Sequence, residues 1–493
     1  MKKSKVKLIC TINIILILTV LFYIVFITPL LPYDELWNFQ NIFKMYNGFQ
    51  IYNESNVIIT PLFFYIENIV FHLFGANFLT FRISNIFLLI INFFFIYKFQ
   101  KKLKISNCIN LLFMTLMLLG TFDLYAPNGA NYNTLSLIFY TIGMYLYFSN
   151  KNSNIAQGFI IFLLFFTKQN TAIFYVLAII IWELYNYKFS KKFFKNQFQK
   201  FFAFLIPSVF IALFLYLGGN WKSFINYTFG GIFDFSNNNL SFTPEKYDLF
   251  IILLAIILSV ALLANRKKLV MYIPNTFFDN LLFLLIFSIC ASLILYPICN
   301  PAHCKMVISF YYIILSYILS NVFNGLFDEI HIQNTFKLII MVLLLIFTLN
   351  LSIEFYTIII SDEVEFISEN SSPYFGIFLP KDYIKKIDTL KNYITHKNNN
   401  GIDVIICSSD SAFVMVSLKQ SHGPYDLIFY GNLGYNGIEK LKQDILSKKH
   451  TEFLVLKDKE DLFDQEVVEI RDFMIENLTK CGEICNYDVY CNY

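Results

Sequence analysis

The chain has 493 residues, of which 57% are hydrophobic and only 15% charged, with a mean hydropathy of +0.56. Soluble domains carry about 25% charged residues, so this composition describes an integral membrane protein. A net charge of +3, with no basic helix and no zinc-ligand spacing, excludes nucleic acid as a partner; phosphate-loop, dinucleotide-binding and nucleophile-elbow motifs are absent too.

A spanning helix needs about 20 mostly apolar residues. In chain order such runs fall at 8–31, 78–98, 108–125, 132–149, 155–167, 170–187, 201–218, 247–264, 279–298, 304–323 and 337–360, about eleven spans. Leu8–Leu31 has no small-residue cleavage site and reads as a retained first span. The segment 57–75 is also apolar, but it carries Glu67 and His72 and contains Pro61. Counting it as a span would invert every later loop, so it reads as a helix lying on the outer surface. Glu67 and His72 stand five apart, not the four that would put them on one helix face, and do not make a metal pair.

Lys and Arg set the orientation. With a cytoplasmic N-terminus, the inner segments hold eighteen of them, clustered at 2–7, 98–104, 188–200 and 266–268 with Lys151 and Lys337. The outer loops before residue 361 hold five: Lys44, Lys168, Lys222, Lys246 and Lys305. From Ser361 the composition becomes that of a soluble domain. Ile384, Ile387, Leu390 and Ile394 have helical spacing, as do Ile438, Leu441 and Ile445, while Ile402–Cys407 and Glu452–Leu456 read as buried strands. The expected organisation is a membrane domain over 1–360 and a small extracytoplasmic α/β domain over 361–493.

Nine cysteines are present. Cys10, Cys108 and Cys290 lie in or beside spans and suit packing. Cys299 and Cys304 flank the outer loop Asn300–His303. Cys407, Cys481, Cys485 and Cys491 lie in the tail, where an oxidising compartment would allow disulfides. The last three lack paired Cys-x-x-Cys spacing, which weakens a metal reading.

Just past the first run stands Tyr33-Asp34-Glu35. Carboxylates are costly within lipid and much less so at its surface, so Asp34 and Glu35 offer a base at the outer mouth of the bundle. Then come Thr60-Pro61-Leu62, Gly75 and Arg82-Ile83-Ser84, and later Thr167-Lys168-Gln169 and Pro301-Ala302-His303, all at outer ends. The order resembles the GT-C glycosyltransferases of the protein O-mannosyltransferase and lipid A aminoarabinose transferase type, family 39. Those proteins carry an acidic pair in the first outer loop, then a Pro-Pro-Leu stretch, a Gly, an Arg-x-x-Ser segment, a Lys-Gly motif and a His-Tyr motif. The matches are Asp34-Glu35, Pro61-Leu62, Gly75, Arg82, Lys168 and His303. The chain departs from the pattern at Ile59-Thr60, at Ser84 one residue early, at Asn133 where many relatives are acidic, at Gln169 in place of Gly and at Cys304 in place of Tyr.

The resemblance implies a multi-span α-helical membrane protein of GT-C type in a bacterial cell membrane. It implies transfer of a sugar, hexosyl or pentosyl, from a polyprenyl-phosphate donor to a lipid, glycan or protein acceptor on the non-cytoplasmic side, with inversion. A lipid phosphate is already a good leaving group, so its charge needs compensation more than a proton. Lys168, Arg82 and His303 are outer-facing candidates for that role, and Asp34 for deprotonating the acceptor hydroxyl. Glu35, facing another way on a helix, is left for the acceptor, a metal or Arg82. Tyr33, Trp37, Asp123 and Asn133 are candidate sugar or acceptor contacts. The resemblance fixes no cofactor and leaves a divalent metal ion open. The same residues also suit plainer roles: Asp34 and Glu35 as helix caps, Arg82 and Lys168 as headgroup anchors, Trp37 and Tyr33 as belt aromatics, and His303 as a structural histidine. A transporter or flippase for lipid-linked sugars, or a membrane scaffold, are the competing functions. A transporter would show internal repeats and polar groups at mid-membrane, whereas these groups gather at one surface.

Overall fold

The computed structural model describes residues 21–22, 25–26, 34–121, 130–150, 153–238, 240–322, 330–360, 363–408, 411–426, 428, 431–434, 437–457 and 468–492. Helices dominate the first part: α1 (Asp34–Tyr46), α2 (Leu62–Phe74), α3 (Phe78–Lys102), α4 (Asn107–Gly120), α5 (Tyr132–Ser149), α6 (Asn154–Thr167), α7 (Gln169–Tyr187), α8 (Lys191–Leu217), α9 (Gly231–Asn238), α10 (Lys246–Ala264), α11 (Asn275–Ser292), α12 (Pro301–Val322) and α13 (Ile330–Ile360). Among the described residues, five helical stretches are long and apolar enough to cross a membrane: α3, α8, α10, Asn275–Leu295 and α12. Helices also stand where five further spans are expected, at α4, α5, α6, α7 and α13. The 8–31 run lies almost wholly outside the described residues. At 1.5 Å per residue, the 14 residues of α6 reach only about 21 Å, short of a hydrocarbon core of about 30 Å.

The surface pattern is that of a protein in lipid. Helix α8 leaves Phe198, Phe201, Phe210, Phe214 and Leu217 exposed. It touches the bundle through α6 at Gly158, where a Cβ would stand 2.3 Å from the Lys200 carbonyl oxygen. Small residues at such crossings let backbones approach in the absence of a hydrophobic force between helices. The largest core runs through α3, α4, α5, α7, α11 and α12, with Tyr140, Tyr175, Phe287 and Tyr312 buried at its centre.

The tail forms a hairpin of β3 (Val364–Phe366) and β4 (Phe378–Pro380), then α14 (Lys381–Asn399), β5 (Asp403–Ile406), α15 (Ser411–Leu418), α16 (Gly437–Ser447), β6 (Thr451–Leu456), α17 (Val468–Asn477), β7 (Thr479–Ile484) and β8 (Tyr487–Asn492). The main sheet has order β5-β6-β8-β7; β5 and β6 are parallel and the other pairs antiparallel. A disulfide joins Cys481 to Cys491, and Cys485 is free.

This unit packs on α1 and on the start of α3. The Phe78 N–H donates to the Pro373 carbonyl at 2.8 Å, and the Phe78 ring stacks on Tyr374 with centroids 5.5 Å apart. Lys44 of α1 is buried in an ion pair with Asp426. The turn at 431–434 meets α9 backbone to backbone: a Cβ on Gly231 would lie 2.3 Å from the Gly431 carbonyl oxygen. Glycine is therefore required on the α9 side of the contact, and Gly431, at φ +91°, also occupies a conformation that other residues rarely adopt.

Candidate active site

Helix α1 is buried almost all round, with Glu35, Leu36, Asn38, Phe39 and Ile42 each at most 1% exposed. It begins at Asp34. The Asp34 side chain, together with Tyr33 and Asp123, lies outside the described residues. Glu35 meets Arg82 of α3 in a two-point ion pair: Nε donates to Oε1 at 2.6 Å and Nη2 to Oε2 at 3.0 Å. The third nitrogen, Nη1, donates to the Val25 carbonyl at 3.1 Å. Arg82 is only 1% exposed, so it does not snorkel to a headgroup. It ties α1 and α3 to the first apolar run.

Lys168 occupies the single extended residue between α6 and α7, at φ −158° and ψ 105°. That geometry turns its side chain across to α5, where Nζ donates to Asn133 Oδ1 at 2.5 Å and stands 5.6 Å from the centre of the Tyr132 ring. Asn133 is placed by the start of α5: Asn131 Oδ1 accepts from the Asn133 N–H at 2.7 Å. Trp37 packs edge-on to Tyr132 at 6.3 Å and to Phe64 at 6.1 Å. Its indole nitrogen is buried with no hydrogen-bond partner among the described residues.

His303 lies in the first turn of α12. Asn300 Oδ1 accepts from the His303 backbone N–H at 3.0 Å and lies 2.8 Å from ring Nδ1. An oxygen already receiving a backbone N–H must receive the ring contact too, so Nδ1 carries a proton and Nε2 is left to accept or donate. Of the residues nominated from sequence, the structure thus gathers Trp37, Asn133 and Lys168 around Tyr132 at the start of α1, pairs Glu35 with Arg82, and places His303 in the first turn of α12.

Gln169, which departs from the expected glycine, bridges two segments: Nε2 donates to the carbonyls of Ile58 at 3.2 Å and Thr228 at 3.1 Å. Thr60, another departure, donates to the Phe165 carbonyl at 2.7 Å. Sequence reasoning missed Tyr132, Asn300 and the Gln169 clamp. Asn300-Pro301 was a readable helix-start signal. A cleft of about 400 Å³ between the β3–β4 hairpin and α14, lined by Glu365, Tyr374, Asp388, Lys391 and Lys419, holds none of the nominated residues. In the tail, Glu452, Cys481 and Cys491 cluster as metal ligands would. The two sulfurs are bonded to each other, however, and Glu452 accepts from Tyr393 at 2.7 Å and Lys397 at 2.6 Å. As they stand these residues do not fit a metal ion.

The fold is a bundle of apolar helices capped at one end by a small mixed-sheet unit. Two solved structures share it over nearly the whole chain, both of ArnT from Cupriavidus metallidurans. The apo form matches with a TM-score of 0.53 and the form bound to undecaprenyl phosphate with 0.57, each at 10% identity and covering 99% of this chain and 98% of that one. No protein-family model and no curated protein matches the sequence.

Proposed function

We propose that the protein is an integral-membrane glycosyltransferase that moves a sugar from a polyprenyl-phosphate donor to a lipid, glycan or protein acceptor, inverting the anomeric centre. The observation that carries this reading is the meeting of Trp37, Asn133 and Lys168 at the start of α1, on the fold of a protein solved with undecaprenyl phosphate. The Lys and Arg distribution supports placing this end outside the cytoplasm.

Asp34, first residue of α1, acts as general base: its carboxylate takes the proton of the acceptor hydroxyl as the oxygen attacks the anomeric carbon. The bond to the lipid phosphate breaks on the opposite face. Lys168 contacts the departing phosphate, His303 donates to it from Nε2 as an imidazolium whose charge the bound phosphate stabilises, and the Trp37 indole N–H donates to the sugar or to that phosphate. Asn133 holds the Lys168 ammonium in line. Glu35 and Arg82 act through position, fixing the start of α1 so that Asp34 meets the acceptor. A preorganised cation beneath a cap that excludes water stabilises developing charge better than one that must reorganise.

The test is Asp34→Asn in purified protein reconstituted with a polyprenyl-phosphate sugar and an envelope acceptor fraction. Loss of a positioned base costs roughly 100-fold or more in transfer rate, with unchanged protein level and unchanged donor binding. Transfer by the variant at the wild-type rate would reject Asp34 as the base, and no transfer by the wild-type protein would favour a transporter or scaffold.

A further inference from the structure

The cysteines flanking the His303 loop have a geometry of their own. Cys299 and Cys304 are 8% and 1% exposed, and their sulfurs lie 3.8 Å apart. The backbone between them is fixed at both ends. Strand β2 (Ile298–Cys299) pairs in parallel with β1 (Ser241–Phe242), and the Thr243 N–H donates to the Cys299 carbonyl at 2.7 Å. The Cys304 N–H donates to the Asn300 carbonyl at 3.0 Å. A disulfide needs sulfurs about 2 Å apart, so the two sulfurs, now 3.8 Å apart, must close by the difference. The Cys481–Cys491 disulfide in the cap over the same end is what an oxidising compartment produces.

We propose that Cys299 and Cys304 form a second disulfide in the mature protein, closing the loop that carries Asn300 and His303 and fixing the imidazole toward the donor phosphate. The sidedness and the role of His303 rest on the function proposed above. The oxidant is the disulfide of an extracytoplasmic thiol oxidoreductase. The thiolate of Cys299 attacks one sulfur of that disulfide and expels the other as a thiolate. The thiolate of Cys304 then attacks the Cys299 sulfur and expels the catalyst's remaining thiolate. One S–S bond forms in this chain and one breaks in the catalyst, which carries away two electrons and two protons. Because both thiols are buried in the finished fold, the bond forms before α12 packs.

The experiment maps thiols in the full-length protein taken from membranes without reductant. Free thiols are blocked under denaturing conditions with one alkylating agent; the sample is then reduced, labelled with a second agent and digested for mass spectrometry. Cys299 and Cys304 are expected to carry the second label, as Cys481 and Cys491 do, while Cys108, Cys290, Cys407 and Cys485 carry the first. First label on Cys299 and Cys304 alone would overturn the disulfide and leave the proposed function standing. First label on all four would overturn the disulfide and the sidedness together. The positioning role is read separately: Cys299→Ser is expected to raise KM for the lipid donor roughly threefold to tenfold while kcat holds within about twofold. A variant with wild-type KM would show that the bond does not position His303.

Discussion

The pair formed by Glu35 and Arg82 shows what a buried charge asks of its surroundings. Both are at most 1% exposed, and desolvating two ions costs about as much as their attraction returns. The pair is therefore poor as a source of stability and strict as a constraint. Removing one partner strands the other, which typically costs about 3–5 kcal/mol, whereas replacing both by neutral isosteres is close to neutral. Arg82→Gln is accordingly expected to lower the thermal stability of the detergent-solubilised protein by that amount, and Glu35→Gln combined with Arg82→Gln to recover more than half of it. A double variant as unstable as the single one would show that the Val25 contact of Arg82, not its ion pair, is what matters. The charges themselves were legible in the sequence, because an acidic pair and an arginine at a membrane boundary persist only for a partner or a ligand. Which partner was not: Glu35 and Arg82 are 47 residues apart, and a two-point contact leaves no periodic trace. Gln169 was visible only as a missing glycine, since its two acceptors are backbone carbonyls that any sequence supplies.

At the scale of the element, α2 is the instructive case. The apolar run 57–75 gives a helix only over Leu62–Phe74. Residues 58–60 are used instead as anchors, with the carbonyl of Ile58 taken by Gln169, that of Ile59 by Tyr52 and the Thr60 hydroxyl given to Phe165. Periodicity reports an apolar face, not where the backbone is needed elsewhere. In the tail, Ile402–Cys407 and Glu452–Leu456 coincide with β5 and β6, whereas the β7–β8 hairpin went unread. Strand β7 is exposed almost throughout, and its turn places Cys485 at φ 50° where Asn-Gly or Asp-Gly would have announced a hairpin. The seat of α2 against α3 also has a pH dependence. Glu67 is 1% exposed; Ser84 donates to its Oε1 at 2.8 Å, and Oε2 has no partner among the described residues. Burial raises its carboxyl from 4.5 to about 7, against the opposing Ser84 hydrogen bond. Between those values the folded protein keeps a proton that the unfolded chain has lost, so stability falls as pH rises and levels off above about 7. The loss is at most about 3 kcal/mol. Glu67→Gln keeps the acceptor for Ser84 and removes the titration, so unfolding midpoints measured from pH 5 to pH 8 are expected to fall for the wild type and stay level for the variant. Parallel profiles for the two would assign the slope to other groups.

For the whole molecule, the question is what holds the cap on the bundle, because the proposed site lies beneath it. The contacts differ in kind: a buried apolar cluster shared by α1, α2 and α3 with Tyr374, Ile377, Ala412, Phe413 and Val416 of the cap, within which the Phe78 and Tyr374 rings stack, the Gly231–Gly431 backbone approach, and the buried cluster around Asp426. The Asp426 carboxylate accepts from Lys44 and from the His422 N–H at 3.1 Å. The Ser421 oxygen lies 3.3 Å from the same carboxylate and gives its one hydroxyl proton to the Glu54 carbonyl at 2.7 Å. Two donors on one carboxylate make the joint specific, and only the cation comes from α1, the helix that opens with Asp34. Lys44→Met keeps the length of the side chain and deletes its charge, leaving Asp426 buried without its cation. The expected result is loosened docking, not unfolding: hydrogen exchange speeds up in α15 and residues 421–426 by roughly 100-fold, the equivalent of about 3 kcal/mol, while the cores of α11 and α12 keep their protection. Sugar transfer should fall with it, because a cap that opens admits water to the site. Adding Asp426→Asn to Lys44→Met removes the stranded charge and should restore most of both. If exchange rises equally throughout the bundle, the pair stabilises the whole fold rather than the joint; if it rises nowhere, the glycine contact and the aromatic stack hold the cap without it.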